Sequence, residues 1–165
     1  MRQISKVTLV FLGLLLVLPG ASFAGKKIWS KTQPPINVTH IFQGEINRRG
    51  KPTGYHALFN GKKVKTARIV RVKGKPNKAG VYTAQVEVFD KRSGQWKRKF
   101  STMFPDRMKA SEILKAVLHA YKHRRKGRKT PWRGPSGQGF PIEGYVLKNG
   151  KINTAYPIYI RDRKK

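Results

Sequence analysis

Few residues in this chain can do chemistry. It has 165 residues, no cysteine and four histidines. His40 and His56 stand in the segments HIFQGE and GYH, on either side of the turn NRRGKP. Two strands joined by such a turn would bring the rings to neighbouring positions. Paired imidazoles are what phosphodiester transesterification needs: one removes the 2′-hydroxyl proton and the other protonates the departing 5′-oxygen. Imidazole suits both tasks because its ordinary pKa lies near physiological pH. On composition alone, two strand histidines are more often structural, so the fold has to make the pair.

The other groups are weaker signals. His119 and His123 have the i, i+4 spacing of a helical metal pair, but no third histidine or carboxylate is placed to complete a site, so no metal is expected. Lys97, Lys99 and Ser101 alternate along one strand face. A lysine there could stabilise a phosphorane dianion, and Ser101 could contact substrate. Thr154 and Tyr156 also share a strand face, and their hydroxyls could orient a phosphate or a base. P-loop, G-x-S-x-G, H-E-x-x-H and EF-hand patterns are missing. Seven acidic residues scattered along the chain cannot readily build a two-metal nuclease site, which needs clustered carboxylates. The chemistry left is metal-free, without a cofactor, and acts on RNA.

These residues need a scaffold, and the chain supplies one domain's worth. Ile36–Ile46 (INVTHIFQGEI) is β-branched and partly alternating and reads as a strand. Gly54–Phe59 reads as a short second strand, with Asn60-Gly61 as a turn signal. Further strands are expected at Val64–Val72, Val81–Phe89, Trp96–Phe104, Ile142–Leu147 and Ile152–Ile160. Asn149-Gly150 marks the turn between the last two, and Pro131–Gly139 reads as a loop. One helix is well marked in SEILKAVLHAYKH, where Ile113, Leu114, Val117, Leu118 and Tyr121 repeat at helical spacing. The sum is α+β, mostly antiparallel strands with that single clear helix.

The charge names the class of partner. Lys and Arg number 37 against 7 Asp and Glu, a net charge of +30. An excess this one-sided needs a polyanion, and nucleic acid comes before anionic lipid because no long basic amphipathic helix is present. Lys122–Lys129 (KHRRKGRK) reads as a solvated basic loop in which Lys122, Arg124, Arg125, Lys126, Arg128 and Lys129 hold RNA phosphates. Residues 1–24 combine Arg2 and Lys6, an apolar run from Val7 to Leu18, Pro19-Gly20, and small residues Ser22 and Ala24. That is the pattern of a secretory signal peptide cleaved after Ala24. The apolar run is shorter than the roughly 20 residues that span a bilayer, so no stable membrane insertion is expected after cleavage. Residues 25–35 form an N-terminal arm and 36–165 the folded domain. Export would leave the protein periplasmic or secreted.

Several segments resemble the EndoU endoribonucleases, in the bacterial branch that serves as toxin domains of contact-dependent inhibition and related secreted systems. They are HIFQGEI at His40–Ile46, GYH at Gly54–His56, STMFP at Ser101–Pro105 followed by a helix, IEGY at Ile142–Tyr145, and KINTAYPI at Lys151–Ile158. They follow one another in the family's order, with a His40-to-His56 spacing also seen in animal members. The resemblance implies an EndoU, RNase A-like α+β toxin fold with antiparallel sheets, one well-marked helix and a minor N-terminal helical segment. It implies an active site of His40, His56, a lysine, Thr154 and Tyr156. For the lysine, the K-x-x-x-S spacing to Ser101 favours Lys97, and proximity to the S-T pair favours Lys99.

The implied reaction is cleavage of single-stranded RNA to a 2′,3′-cyclic phosphate and a 5′-hydroxyl, preferring uridine, with tRNA among the candidate substrates. Tyr156 would pack on the base or sugar and Thr154 would bond the base. A toxin of this kind implies a cognate immunity protein and action in a target cell's cytoplasm. A different class remains open: a cationic nucleic-acid-binding or antimicrobial protein without catalysis. The set of His40, His56, Thr154 and Tyr156 separates the two, because binding alone does not require it.

Overall fold

The computed structural model describes residues 27–125, 127 and 130–163. The signal peptide expected at 1–24 and the loop cations Lys126, Arg128 and Lys129 lie outside the described residues. The elements in chain order are α1 (Val38–Phe42), β1 (Glu45–Ile46), β2 (Pro52–Thr53), β3 (Ala67–Gly74), β4 (Tyr82–Asp90), β5 (Gln95–Met103), α2 (Ala110–Lys122), β6 (Trp132–Pro135), β7 (Pro141–Val146) and β8 (Ile152–Pro157). They form three antiparallel sheets: β1-β2, β3-β4-β5 and β6-β7-β8. The fold is α+β with one prominent helix, as expected.

Two apolar clusters organise it. One joins α1, α2 and the C-terminal sheet, including Ile36, Ile41, Val117, Trp132 and Ile142. The other lies under β3-β4-β5, where Val86, Val88 and Met103 close over Tyr55. In α2 the fully buried stripe is Ile113, Ala116, Val117 and Ala120, while Leu114, Leu118 and Tyr121 pack at its margin. The small residues let the helix approach closely. A Cβ on Gly134 of β6 would fall on the Ala120 carbonyl, so the contact admits only glycine. Burying each large aliphatic side chain of this stripe contributes roughly 1.5–3 kcal/mol. Among the described residues no helix is long and apolar enough to cross a membrane.

The N-terminal expectations need correction. Ile36–Ile46 is not one strand: Val38–Phe42 is the helix α1, and it supplies the minor N-terminal helical segment. Asn37 explains the switch. Its side chain accepts the His40 amide at 3.1 Å as an N-cap, and such a cap contributes about 1 kcal/mol. The Asn37 amide also donates to the Ile152 carbonyl at 3.0 Å, which seats the helix on β8. Gly54–Phe59 is not a strand either, because Gly54 and Tyr55 both take positive φ, 73° and 57°. Two elements were missed. Pro52, expected in the turn, begins the short strand β2 with Thr53. Trp132–Pro135, expected as loop, pairs with β7 as β6.

Candidate active site

His40 and His56 come together, though not as a cross-strand pair. The backbone after β2 folds back on α1: the Tyr55 amide donates to the His40 carbonyl and the His56 amide to the Ile41 carbonyl, each at 2.7 Å. The Phe104 amide then donates to the His56 carbonyl at 2.7 Å, tying the segment to the end of β5. A Cβ on Gly54 would overlap the His40 carbonyl. Tyr55, a non-glycine residue with left-handed φ, carries strain of order 1–3 kcal/mol that its buried ring offsets. The two imidazoles end with centroids 5.8 Å apart, each residue 7% exposed.

Their partners differ in chemistry. His40 Nδ1 lies 2.7 Å from Glu45 Oε2, on β1. Burial works against the Glu45 charge, but the hydrogen bond and charge of His40, with help from Lys27 and Asn37, outweigh it and hold the carboxyl below its usual range. A carboxylate only accepts, so His40 Nδ1 carries the proton. His56 Nδ1 lies 3.0 Å from the Thr102 carbonyl and 3.0 Å from Ser101 Oγ, which itself donates to the Tyr55 carbonyl. Both neighbours offer lone pairs, so His56 Nδ1 also carries a proton and its Nε2 keeps a free lone pair. Burial, then the charges of Lys99 and His40, push the His56 pKa well below its ordinary value, and the Thr102 bond only partly opposes them. His56 is therefore a neutral imidazole at pH 7.

The two lysines separate. Lys97 Nζ pairs with Asp90 Oδ2 at 2.7 Å and donates to the Gly50 carbonyl at 3.0 Å. The Lys97 hydrogen bond holds Asp90 down to about 2, against its burial. Among the described residues no carboxylate pairs with Lys99. Its Nζ donates to the Gly54 carbonyl at 2.9 Å, and desolvation brings its pKa down to about 8. Its charge acts on His56. Lys99 is thus the lysine beside the histidine pair.

Ser101 was expected to contact substrate. It is 2% exposed and sits behind His56, because its hydroxyl bridges that ring and the Tyr55 carbonyl. It positions the imidazole instead. Tyr156 joins the histidines from β8, its ring 5.4 Å from His56, and its hydroxyl donates to Glu143 at 3.2 Å. Burial and then the Glu143 charge raise the Tyr156 pKa far above its usual value, so the phenol stays protonated. Thr154, 9% exposed, shares the Tyr156 face of β8. His119 and His123 lie elsewhere, stacked at 4.2 Å at the end of α2, with their Nδ1 atoms on the carbonyls of Pro135 and His119. Among the described residues no three His, Asp or Glu side chains gather for a metal.

The profile of the bacterial EndoU nucleases matches residues 36–159, the whole of this scaffold. The chain belongs to the bacterial EndoU nuclease family. A Bacillus cereus protein named a toxin is 34% identical over 128 residues. That alignment covers 74% of this chain and 22% of the toxin, so the chain spans about a fifth of its relative's length. No solved structure matches the chain. Within an EndoU domain, three residues that sequence reasoning had left unassigned acquire work: Glu45 and Asn37 around His40, and Glu143 under Tyr156. Glu45 was legible as the last letter of HIFQGE. Asn37 could have been read as a helix cap three residues before His40. Glu143 is the second letter of IEGY, but only the β7-β8 register places it beside Tyr156.

Proposed function

We propose that this EndoU domain is an exported endoribonuclease toxin that cleaves single-stranded RNA through the substrate's own 2′-hydroxyl. The observation that carries the reading is the histidine pair itself: two rings 5.8 Å apart, each with Nδ1 engaged by protein and Nε2 left for substrate. Neutral His56 takes the 2′-hydroxyl proton on Nε2. The 2′-oxygen bonds to phosphorus and the P–O5′ bond breaks. His40, protonated and steadied by Glu45, returns a proton to the leaving 5′-oxygen. The Lys99 ammonium faces the charge that builds on the non-bridging oxygens. Tyr156 packs on the nucleoside and Thr154 bonds the base, favouring uridine. Products are a 2′,3′-cyclic phosphate and a 5′-hydroxyl.

The deciding experiment is incubation of purified protein with total RNA, tRNA included, and analysis of product ends. Cyclic phosphate and 5′-hydroxyl ends are expected, with and without EDTA. RNA bound but left whole would favour the cationic binding protein instead. The toxin role is supported by the relative's name and by the signal-peptide pattern of residues 1–24. It calls for an immunity partner, which a small acidic protein would suit against a charge of +30.

Glu45 gives a further test. Glu45→Gln keeps a hydrogen-bond acceptor but removes the counter-charge of the His40 imidazolium. The rate should fall roughly ten- to hundredfold, the scale on which metal-bound histidines lose function without their carboxylate partners. A variant with wild-type rate would remove Glu45 from the mechanism.

A further inference from the structure

The sheet face that carries Tyr156 continues past it. Along β6, Trp132 and Gly134 face α2, where the Trp132 ring meets Tyr121 edge-on at 5.4 Å. Arg133, between them, lies on the opposite face. Strand register extends that face: Arg133 pairs with Glu143, and Glu143 with Tyr156. Directly paired residues share a face. Tyr156, Glu143 and Arg133 therefore form one row leading from the histidines to the edge of the sheet. Two strand spacings put Arg133 roughly 10 Å from Tyr156.

Beyond the row a cleft of about 420 Å³ opens at the edge of the sheet, lined by Arg125, Arg133 and residues of the β6–β7 connection between Gly134 and Pro141. Arg125 is held there by its amide, which donates to the Arg133 carbonyl at 3.0 Å. Among the described residues no hydrogen bond or ion pair engages either guanidinium. The contrast is with Arg68 and Arg98, which are both committed to Glu87 at 2.7 and 2.9 Å. Two uncommitted guanidiniums in one concavity suit a phosphate, which they can bind as a fork.

We propose that this cleft is a phosphate subsite, holding a backbone phosphate of the RNA a nucleotide or two from the scissile bond. It rests on the ribonuclease reading of the neighbouring site. The subsite fixes the direction in which substrate crosses the sheet, since only one flank of the strand can reach it.

The test measures binding of uncleavable RNAs carrying a 2′-deoxy sugar at the scissile nucleotide: a dinucleotide, and versions extended on the 5′ or the 3′ flank. Extension on one flank should tighten wild-type binding about tenfold and steepen the log–log salt dependence by about 0.7. An R125Q/R133Q double variant should lose both gains, and R125K/R133K should recover the salt slope. The proposal falls if neither flank helps the wild type, if the Gln variant keeps the gains, or if the Lys variant fails to restore the slope, which would mark a structural role. Binding is read without cleavage. A wild-type protein that shows the flank effect yet leaves all-RNA substrate whole would overturn the ribonuclease reading and leave the subsite standing.

Discussion

His56→Ala and His40→Ala are each expected to lower cleavage by a factor on the order of 10²–10⁴, the usual worth of a positioned acid or base. RNA affinity should hardly change, because 37 basic side chains carry it through phosphate contacts. The double variant should cost little more than either single one, since base and acid act as a unit in one displacement at phosphorus. A substrate with a 2′-deoxy sugar at the scissile position should bind and stay whole. The pH profile follows from the burial of His56. A base whose pKa lies well below 6.5 stays neutral in mildly acidic solution, so the rate should persist below pH 6.5. Cleavage of the deoxy substrate would sink this account. So would activity abolished by EDTA and restored by a divalent ion, which would make metal-bound water the nucleophile.

Candidate residues were easier to name from the sequence than the path of the chain. His40 and His56 stood out by residue type, whereas Thr154 and Tyr156 stood out only through the resemblance to the EndoU family. The strands from β3 to β5 could be read from their runs of β-branched and aromatic residues, and the helix α2 from its helical period and buried stripe. The segment that makes the histidine pair could not. Its β-branched residues carry a strand-like pattern, and one cap, Asn37, turns them into a helix. The pair then depends on left-handed backbone at Gly54 and Tyr55, which no periodicity reports. The same limit applies to β6: WRGP has no alternation to see, and it becomes a strand because β7 offers it an edge. The choice between Lys97 and Lys99 was also beyond the sequence. Both lie on one face of β5, at register positions opposite Val88 and Val86, and only the place of Asp90 at the strand's far end tells them apart.

That choice yields the other large effect. Lys99→Ala should cost on the order of 10²–10³ in rate, as loss of a donor aimed at developing charge does. Lys97→Ala should change the rate only a few-fold, because that ammonium is already committed to Asp90 at 2.7 Å. The two should also differ in pH behaviour. With a pKa of about 8, Lys99 is charged at neutral pH and loses its proton above pH 8. Wild-type activity should then fall with rising pH, while ordinary lysines near 10.4 remain charged. Lys97→Ala should act on stability instead. Asp90 has a folded pKa of about 2, below its ordinary 3.8. Its contribution is therefore present above about pH 4 and is lost as the pH falls through about 2. The destabilisation by Lys97→Ala, measured by thermal melting, should be largest at neutral pH and fade towards pH 2. A rate loss in Lys97→Ala that exceeds that of Lys99→Ala would reverse the assignment. Two small losses would remove both lysines from the transition state and leave its charge to the histidines and backbone.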